Sequence, residues 1–165
     1  WLEGLFAPMI RMIRATPVAS FILLVLLWTG RNQVPAVISG LMVLPVVWEN
    51  LTQGIRSTDQ QLLELARAYR FSRGKVLRLV YLPSIKPYLL SALTTAMGLA
   101  WKSGVAAEVL CLPRPGIGTQ INRAKQAFET ADLFAWTAVV ILLSLVMERG
   151  LTWLIQRKGR GEPRA

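Results

Sequence analysis

An all-α, polytopic helical membrane protein is the fold class this sequence predicts, from three observations. The chain contains four long apolar segments, it is short of charge, and its basic residues gather in alternate connections. Of its 165 residues 53% are hydrophobic and only 17% charged, against about 25% charged in an ordinary soluble domain. A chain of this length that must hide so much apolar surface is better served by lipid than by a single water-soluble core.

The apolar segments run over about 15–30, 32–51, 87–111 and 133–155. The first holds the block Phe21-Ile22-Leu23-Leu24-Val25-Leu26-Leu27-Trp28, apolar on every side. The second, from Asn32 to Trp48, carries Pro45, which should kink a helix and is tolerated best where neighbouring helices satisfy the freed carbonyl. The fourth includes Leu133 to Met147, LFAWTAVVILLSLVM. No uncharged run reaches the roughly 18 residues that mark a span by itself, so each segment alone could be a buried helix of a soluble bundle; the set of four, in so charge-poor a chain, favours the membrane.

A net charge of +10 admits either nucleic-acid binding, through release of counterions from phosphates, or the cytoplasmic loops of an inner-membrane protein. Distribution separates the two. If the segment before the first span is cytoplasmic and the spans alternate, fourteen basic residues fall inside: Arg11, Arg14, Arg56, Arg67, Arg70, Arg73, Lys75, Arg78, Lys86, Arg149, Arg157, Lys158, Arg160 and Arg164. Only Arg31, Arg114, Arg123 and Lys125 fall outside, and Lys102 lies within a span. Segregation of this kind follows the positive-inside rule and places a central loop of about 52–86 and the C-terminal tail in the cytoplasm. No nucleic-acid partner is expected.

Catalysis is not expected either. The chain has no His and a single cysteine, Cys111, so an intrachain disulfide, a cysteine metal cluster and the commonest general base are all missing. No Walker-type phosphate loop occurs, and Gly116-Ile117-Gly118 follows no strand. The chain opens on Trp1 with neither a basic leader nor a cleavage site, and its start is expected to be a fragment boundary.

In the central loop, Thr58-Asp59-Gln60-Gln61 has the form of a capping box with Thr58 at the N-cap. Leu62, Leu63, Leu65, Ala66 and Tyr69 follow at helical spacing, so a short amphipathic helix is expected; Ser72-Arg73-Gly74 should break it before Lys75–Leu82. Pro83 and Pro87 then stand near the start of the next span, where a helix accepts proline. Within 87–111, Ala92, Ala96, Ala100 and Gly104 recur every four residues beside Ser91, Thr95, Ser103 and Ala107, opposite the bulky set Leu90, Leu93, Met97, Trp101 and Val105. Small residues permit close helix approach in lipid, so the small face should meet helices and the bulky one lipid. Lys102 and Glu108 are charges in or near this span, six residues apart and therefore not on one face of a straight helix. Intramembrane charges usually face an interior or a watery path; Lys102, about 22 Å along the axis from Pro87, can instead snorkel outward.

The central loop carries a family resemblance. Glu64, Ala66, then Val80-Tyr81-Leu82-Pro83, with nineteen residues from Glu64 to Pro83, resemble the cytoplasmic signature of permeases of bacterial binding-protein-dependent ABC importers: Glu-Ala-Ala, Gly four residues after the second Ala, and a closing Ile-x-Leu-Pro. Leu65 replaces the first Ala and Arg70 stands at the Gly position, where a tight turn is expected; Gly74 is the nearest glycine that could supply it. The text from Leu62 through Leu82-Pro83-Ser84-Ile85-Lys86-Pro87-Tyr88-Leu89, and from Gly98 to Leu110, looks like the nitrate/sulfonate/taurine-type members, and the likeness extends from about Phe6 to about Leu151.

That resemblance implies a type I importer permease of six spans, of which four are present here, with residues 1–165 forming one transmembrane permease domain. It implies a coupling helix, with Glu64, Ala66, Leu82 and Pro83 as the residues that meet a separate cytoplasmic ATPase subunit holding ATP and magnesium. Glu64 could alternatively pair with Arg67 or Arg70 on its own helix, a contribution of only a few tenths of a kcal/mol. The implied partners are that ATPase, a second permease copy and an extracytoplasmic substrate-binding protein; Lys102, Gly104 and Glu108 are the candidates for a translocation path or gate. The other reading of the same pattern is a secondary transporter without an ATPase.

Overall fold

The computed structural model describes residues 2–159, and every regular element among them is helical. Eight α-helices follow in order: α1 (Leu2–Ala15), α2 (Val18–Trp28), α3 (Val34–Arg56), α4 (Gln60–Ala68), α5 (Arg73–Val76), α6 (Leu82–Cys111), α7 (Ile117–Gln126) and α8 (Thr130–Gly159). A π-helical turn, Leu77–Tyr81, joins α5 to α6. The tail residues Arg160 and Arg164, assigned above to the cytoplasm, lie outside the described residues.

Three of these helices have the length and hydropathy to cross a membrane: Val34–Arg56, the run Arg73–Cys111, and Thr130–Ile155. At 1.5 Å per residue α3 measures about 34 Å and α8 about 45 Å, against a hydrocarbon core of about 30 Å. The first expected span differs. Pro17 cannot continue α1 and restrains Thr16 before it, so the chain turns by 105° between α1 and α2. Eleven residues of α2 reach only about 16 Å, so a fourth crossing exists only if the bent pair makes it jointly.

The central connection is also more helical than its composition suggested. The run from Arg73 to Cys111 is unbroken over 39 residues, with Pro83 and Pro87 inside it rather than at its start. Its π turn precedes Pro83: the Leu82 N–H reaches back five residues to the Leu77 carbonyl, and the wider turn gives the proline ring room. Ser84 Oγ donates to the Val80 carbonyl at 2.8 Å, which satisfies an acceptor near the disturbed ladder.

The fold divides into two compact units, residues 1–45 with 96–165, and residues 46–95. In the first, Ile22 of α2, Val34 and Ile38 of α3, and Ala107 and Cys111 of α6 form a buried cluster, flanked by Phe21, Val25, Leu26 and Met42. The α6 contributions are small, which lets the aliphatic side chains of α2 and α3 close on its backbone. In the second unit Thr58, Ala66, Val80 and Ala92 are buried, and Gly54 faces the Tyr88 ring so closely that a Cβ would lie 3.2 Å from it.

The turn after α4 closes in a Schellman motif. The Phe71 N–H bonds to the Ala66 carbonyl at 2.9 Å and the Arg70 N–H to that of Arg67 at 3.0 Å, with Arg70 itself at φ 49°. The turn glycine is therefore replaced in place. Gly74, the expected substitute, lies inside α5 with an ordinary negative φ, because Arg70 has already reversed the chain. The end of α7 repeats the motif around Phe128, φ 58°, with Glu129 N–H bonded to the Ala124 carbonyl at 3.0 Å. A left-handed conformation costs a non-glycine residue about 1–2 kcal/mol, while glycine adds about 0.5–1 kcal/mol of unfolded-state entropy. Arg70→Gly should therefore leave stability unchanged or raise it by about 0.5 kcal/mol, and Arg70→Val should lower it by 1 kcal/mol or more. Thermal unfolding of the detergent-solubilised protein distinguishes these outcomes; a stable Val variant would refute the strained-turn assignment.

Candidate functional site

Two sets of residues need placing, one on α6 and one around α4. On α6 the buried stripe is Ala92, Ala96, Ser103, Ala107 and Cys111, and Gly104 stands at its edge. A Cβ on Gly104 would lie 2.8 Å from Ser39 Oγ. The missing side chain admits Ser39 of α3, whose hydroxyl donates to the Ala100 carbonyl at 2.9 Å. The small face thus meets a neighbouring helix as expected, with an added polar clasp that spacing could not reveal, since Ser39 reads as one small residue among many.

The opposite face is not wholly turned to lipid. Leu93 is 42% exposed, but Trp101 Nε1 donates to the Val140 carbonyl of α8 at 3.2 Å. An indole N–H has no partner in hydrocarbon, so a neighbouring helix backbone is its stable acceptor. Trp101 also borders a pocket of about 220 Å³ with Pro35, Ala36, Ser39, Ala100, Gly104, Val105, Glu108 and Ile117.

Glu108 has a defined structural partner. Its Oε2 accepts from the Gly118 N–H at 2.8 Å, where Gly116 is the N-cap of α7 and Gly118 its second residue. The N-terminus of α7 thus has an unpaired donor and a partial positive charge, both met by a carboxylate from α6. The fit requires glycine: a Cβ on Gly118 would come within 2.5 Å of Glu108 Cβ, 2.6 Å of the Val105 carbonyl oxygen and 2.7 Å of the Val109 nitrogen. Thr119 Oγ1 donates to the Pro113 carbonyl at 2.8 Å, and Asn122 Nδ2 to that of Val109 at 2.9 Å, so the turn between α6 and α7 is closed on three sides. In the sequence Gly116-Ile117-Gly118 showed only an outer turn; its role as a seat for Glu108 depends on contacts made across that turn.

Of the three candidates on α6, Gly104 and Glu108 share the pocket and Lys102 does not. Lys102 is exposed on another face, so the structure brings two of the three together.

Around α4, Asp59 rather than Thr58 is the N-cap, accepting from the Gln61 N–H at 2.8 Å. Thr58 is buried, and its hydroxyl donates back to the Gly54 carbonyl at 3.3 Å; its position one turn past Gly54, just beyond the end of α3, claims the side chain before the next helix can. Ala66 is turned inward at 2% exposure, while Leu62, Leu65 and Tyr69 stand outward at 44%, 53% and 70%. Glu64 is exposed beside them, and Leu82 and Pro83 are exposed at the head of α6. The inward small residue explains why alanine suits position 66, and the outward stripe explains why Leu65 is accommodated where the signature has alanine.

Packing on α6 predicts a graded response. Gly118→Ala should cost about 1–3 kcal/mol through overpacking against backbone, and Glu108→Ala about 1 kcal/mol as a lost cap, with Glu108→Gln intermediate because the amide oxygen can still accept. Gly104→Leu should lower the yield of folded protein, whereas Leu93→Ala should change it little. Monodisperse yield and thermal midpoint in detergent report all five; equal tolerance of Gly118→Ala and Leu93→Ala would overturn the packing described here.

Comparison with known proteins agrees with this architecture. The family model described as "Binding-protein-dependent transport system inner membrane component" matches residues 1–160. The taurine transport system permease protein of Escherichia coli (strain K12) is 28% identical over 158 residues, covering 94% of this chain and 57% of that protein. The riboflavin transport system permease protein of Chloroflexus aurantiacus is 31% identical over 149 residues, 89% of this chain and 55% of that protein. The bicarbonate transport system permease protein of Synechococcus elongatus is 28% identical over 156 residues, with 93% and 55% covered. The chain spans little more than half the length of these relatives. With its apolar helices, its α4 signature residues and a family match over nearly all of its length, the chain belongs to the binding-protein-dependent transport system inner membrane components, the permease subunits of ABC importers.

Proposed function

We propose that this chain is the part of an ATP-driven importer permease that couples a cytoplasmic ATPase, carrying ATP and magnesium, to a membrane path for a small solute. The observation that carries the reading is α4: a nine-residue helix, capped at Asp59 and closed at Arg70, that buries Ala66 and leaves Leu62, Leu65 and Tyr69 uncovered on its outer side. An apolar stripe at i, i+3 and i+7 is the form in which a helix enters a groove on a partner. Glu64 beside the stripe supplies a charge that a basic group in such a groove would meet, and Leu82 and Pro83 extend the exposed surface.

The solute is proposed to be small, of the sulfonate, taurine or nitrate kind, delivered by an extracytoplasmic binding protein and passed along a path shared with a second permease copy. The relatives' names range from taurine through bicarbonate to riboflavin, which supports choice of solute by the delivering protein rather than by a fixed feature of the permease. Gly104 and Glu108, which share the pocket, are the proposed path residues; Lys102 is proposed to snorkel.

The proposed orientation, with α4 and the end of α8 cytoplasmic and the α7–α8 turn outside, is supported by the segregation of the basic residues. Ser72→Cys should react with an impermeant thiol reagent only after cells are opened, and Phe128→Cys, at a side chain 92% exposed, should react in intact cells; labelling of position 72 from outside would invert the topology.

Coupling is tested by Glu64→Lys and Leu65→Asn. Both positions are exposed, where a surface charge contributes no more than about 1 kcal/mol, so abundance in the membrane should stay normal. Uptake by the whole transporter should fall, and the ATPase should be lost on purification, more completely with Lys. Normal uptake with full ATPase retention in both variants would dismiss the coupling role and favour a transporter with no ATPase.

A further inference from the structure

We infer that the C-terminal end of α8 forms a site for an anionic phospholipid, its phosphate held by Arg149 and its glycerol region resting on Trp153. A groove of about 360 Å³ runs along this end of the helix, lined by Leu145, Glu148, Arg149, Thr152 and Trp153. Four features fit a lipid with a negative head. Arg149 and Trp153 are one turn apart on one face, both exposed, Trp153 at 57%. Arg157, a further turn on, lays its guanidinium over the Trp153 ring at 5.2 Å from the centroid, which holds the indole in place and adds a second positive charge. Leu145 continues the groove on the apolar side, where an acyl chain would lie.

The fourth feature concerns Glu148, the one acid in the groove. Its carboxylate is drawn toward α6: Oε1 occupies the space beside Gly98, where a Cβ would lie 2.6 Å away, and it accepts from Ser144 Oγ at 3.4 Å. The Thr152 hydroxyl is turned back to the Glu148 carbonyl at 2.8 Å. The groove therefore presents cationic and apolar groups outward while its negative charge is held inward. Charge complementarity selects an anionic lipid over a zwitterionic one, because each arginine near a bilayer surface contributes an attraction of the size that changes affinity about fivefold. Tryptophan near the end of a candidate span, here Thr130–Ile155, is a further mark of the interfacial layer. The inference needs only the membrane location of α8, so it stands or falls separately from the coupling role of α4.

The experiment uses the assembled transporter in nanodiscs holding phosphatidylglycerol and phosphatidylcholine in equal amounts, with retained lipids counted by native mass spectrometry after gentle release. Wild type should retain phosphatidylglycerol preferentially. Arg149→Gln should reduce that preference about fivefold, Trp153→Leu should reduce total retention, and Arg149→Lys should restore most of the preference by restoring the charge. Glu148→Gln should leave the preference equal or stronger. Arg114→Gln, which removes an exposed cation in the α6–α7 turn, should change nothing. The site is overturned by any of three results: no preference in wild type, an equal loss in the Arg149→Gln and Arg114→Gln proteins, or a cross-link showing that the Trp153 faces of two permease copies cover each other in the absence of lipid.

Discussion

Helices in hydrocarbon have already satisfied their backbones internally and gain little by hiding apolar side chains from equally apolar lipid. What remains to hold them together is close contact, and in this chain close contact is organised around α6. Ala107 and Cys111 receive the aliphatic side chains of α2 and α3, Gly104 admits Ser39, and Gly118 lets α7 begin directly against the α6 backbone. Each of these is a place where a side chain is small or missing, and the two glycines also lie beside polar bonds that would be costly to lose in a dry environment. Gly104 accompanies the Ser39 hydroxyl bond, Gly118 the Glu108 cap.

Much of this was legible in the sequence, for identifiable reasons. A four-residue recurrence of small residues along 87–111 is a direct image of helix geometry, so the packed side of α6 was legible, although the buried row runs from Ala96 through Ser103 and Ala107 rather than through Ala100 and Gly104. The amphipathic helix at 60–68 was legible because its apolar spacing and polar entry agree. What could not be read were contacts that depend on two distant parts of the chain. Trp101 looked like a lipid-facing residue because only its size was visible; its N–H partner is a carbonyl 39 residues away. Glu108 looked like a stray charge because α7, whose first turn it completes, is not marked by composition.

Local chemistry misled in two places. Thr58 and Asp59 are both competent caps, and the choice of Asp59 follows from Thr58 being drawn back toward Gly54 at the end of α3. Arg70 stood where glycine was anticipated, which suggested the turn had moved to Gly74. Instead the Schellman bonds from Phe71 and Arg70 hold arginine in the left-handed region, so hydrogen-bond closure outweighed the steric preference. The first span was overestimated for a related reason: apolar content was continuous through 15–30, but Thr16-Pro17 set a corner that hydropathy does not register.

The seating of Glu108 also shapes the electrostatic landscape inside the protein. A bare carboxylate on the wall of a small cavity would repel an approaching anion strongly, because there is little water to screen it. Here the carboxylate faces the start of a helix, whose aligned peptides carry roughly half a positive charge at that end. The two together carry about half the charge of the carboxylate alone, so the field they set up around them is correspondingly weaker. An anion in the pocket beside Gly104 would therefore meet a shallow barrier, and a cation would find only a shallow trap.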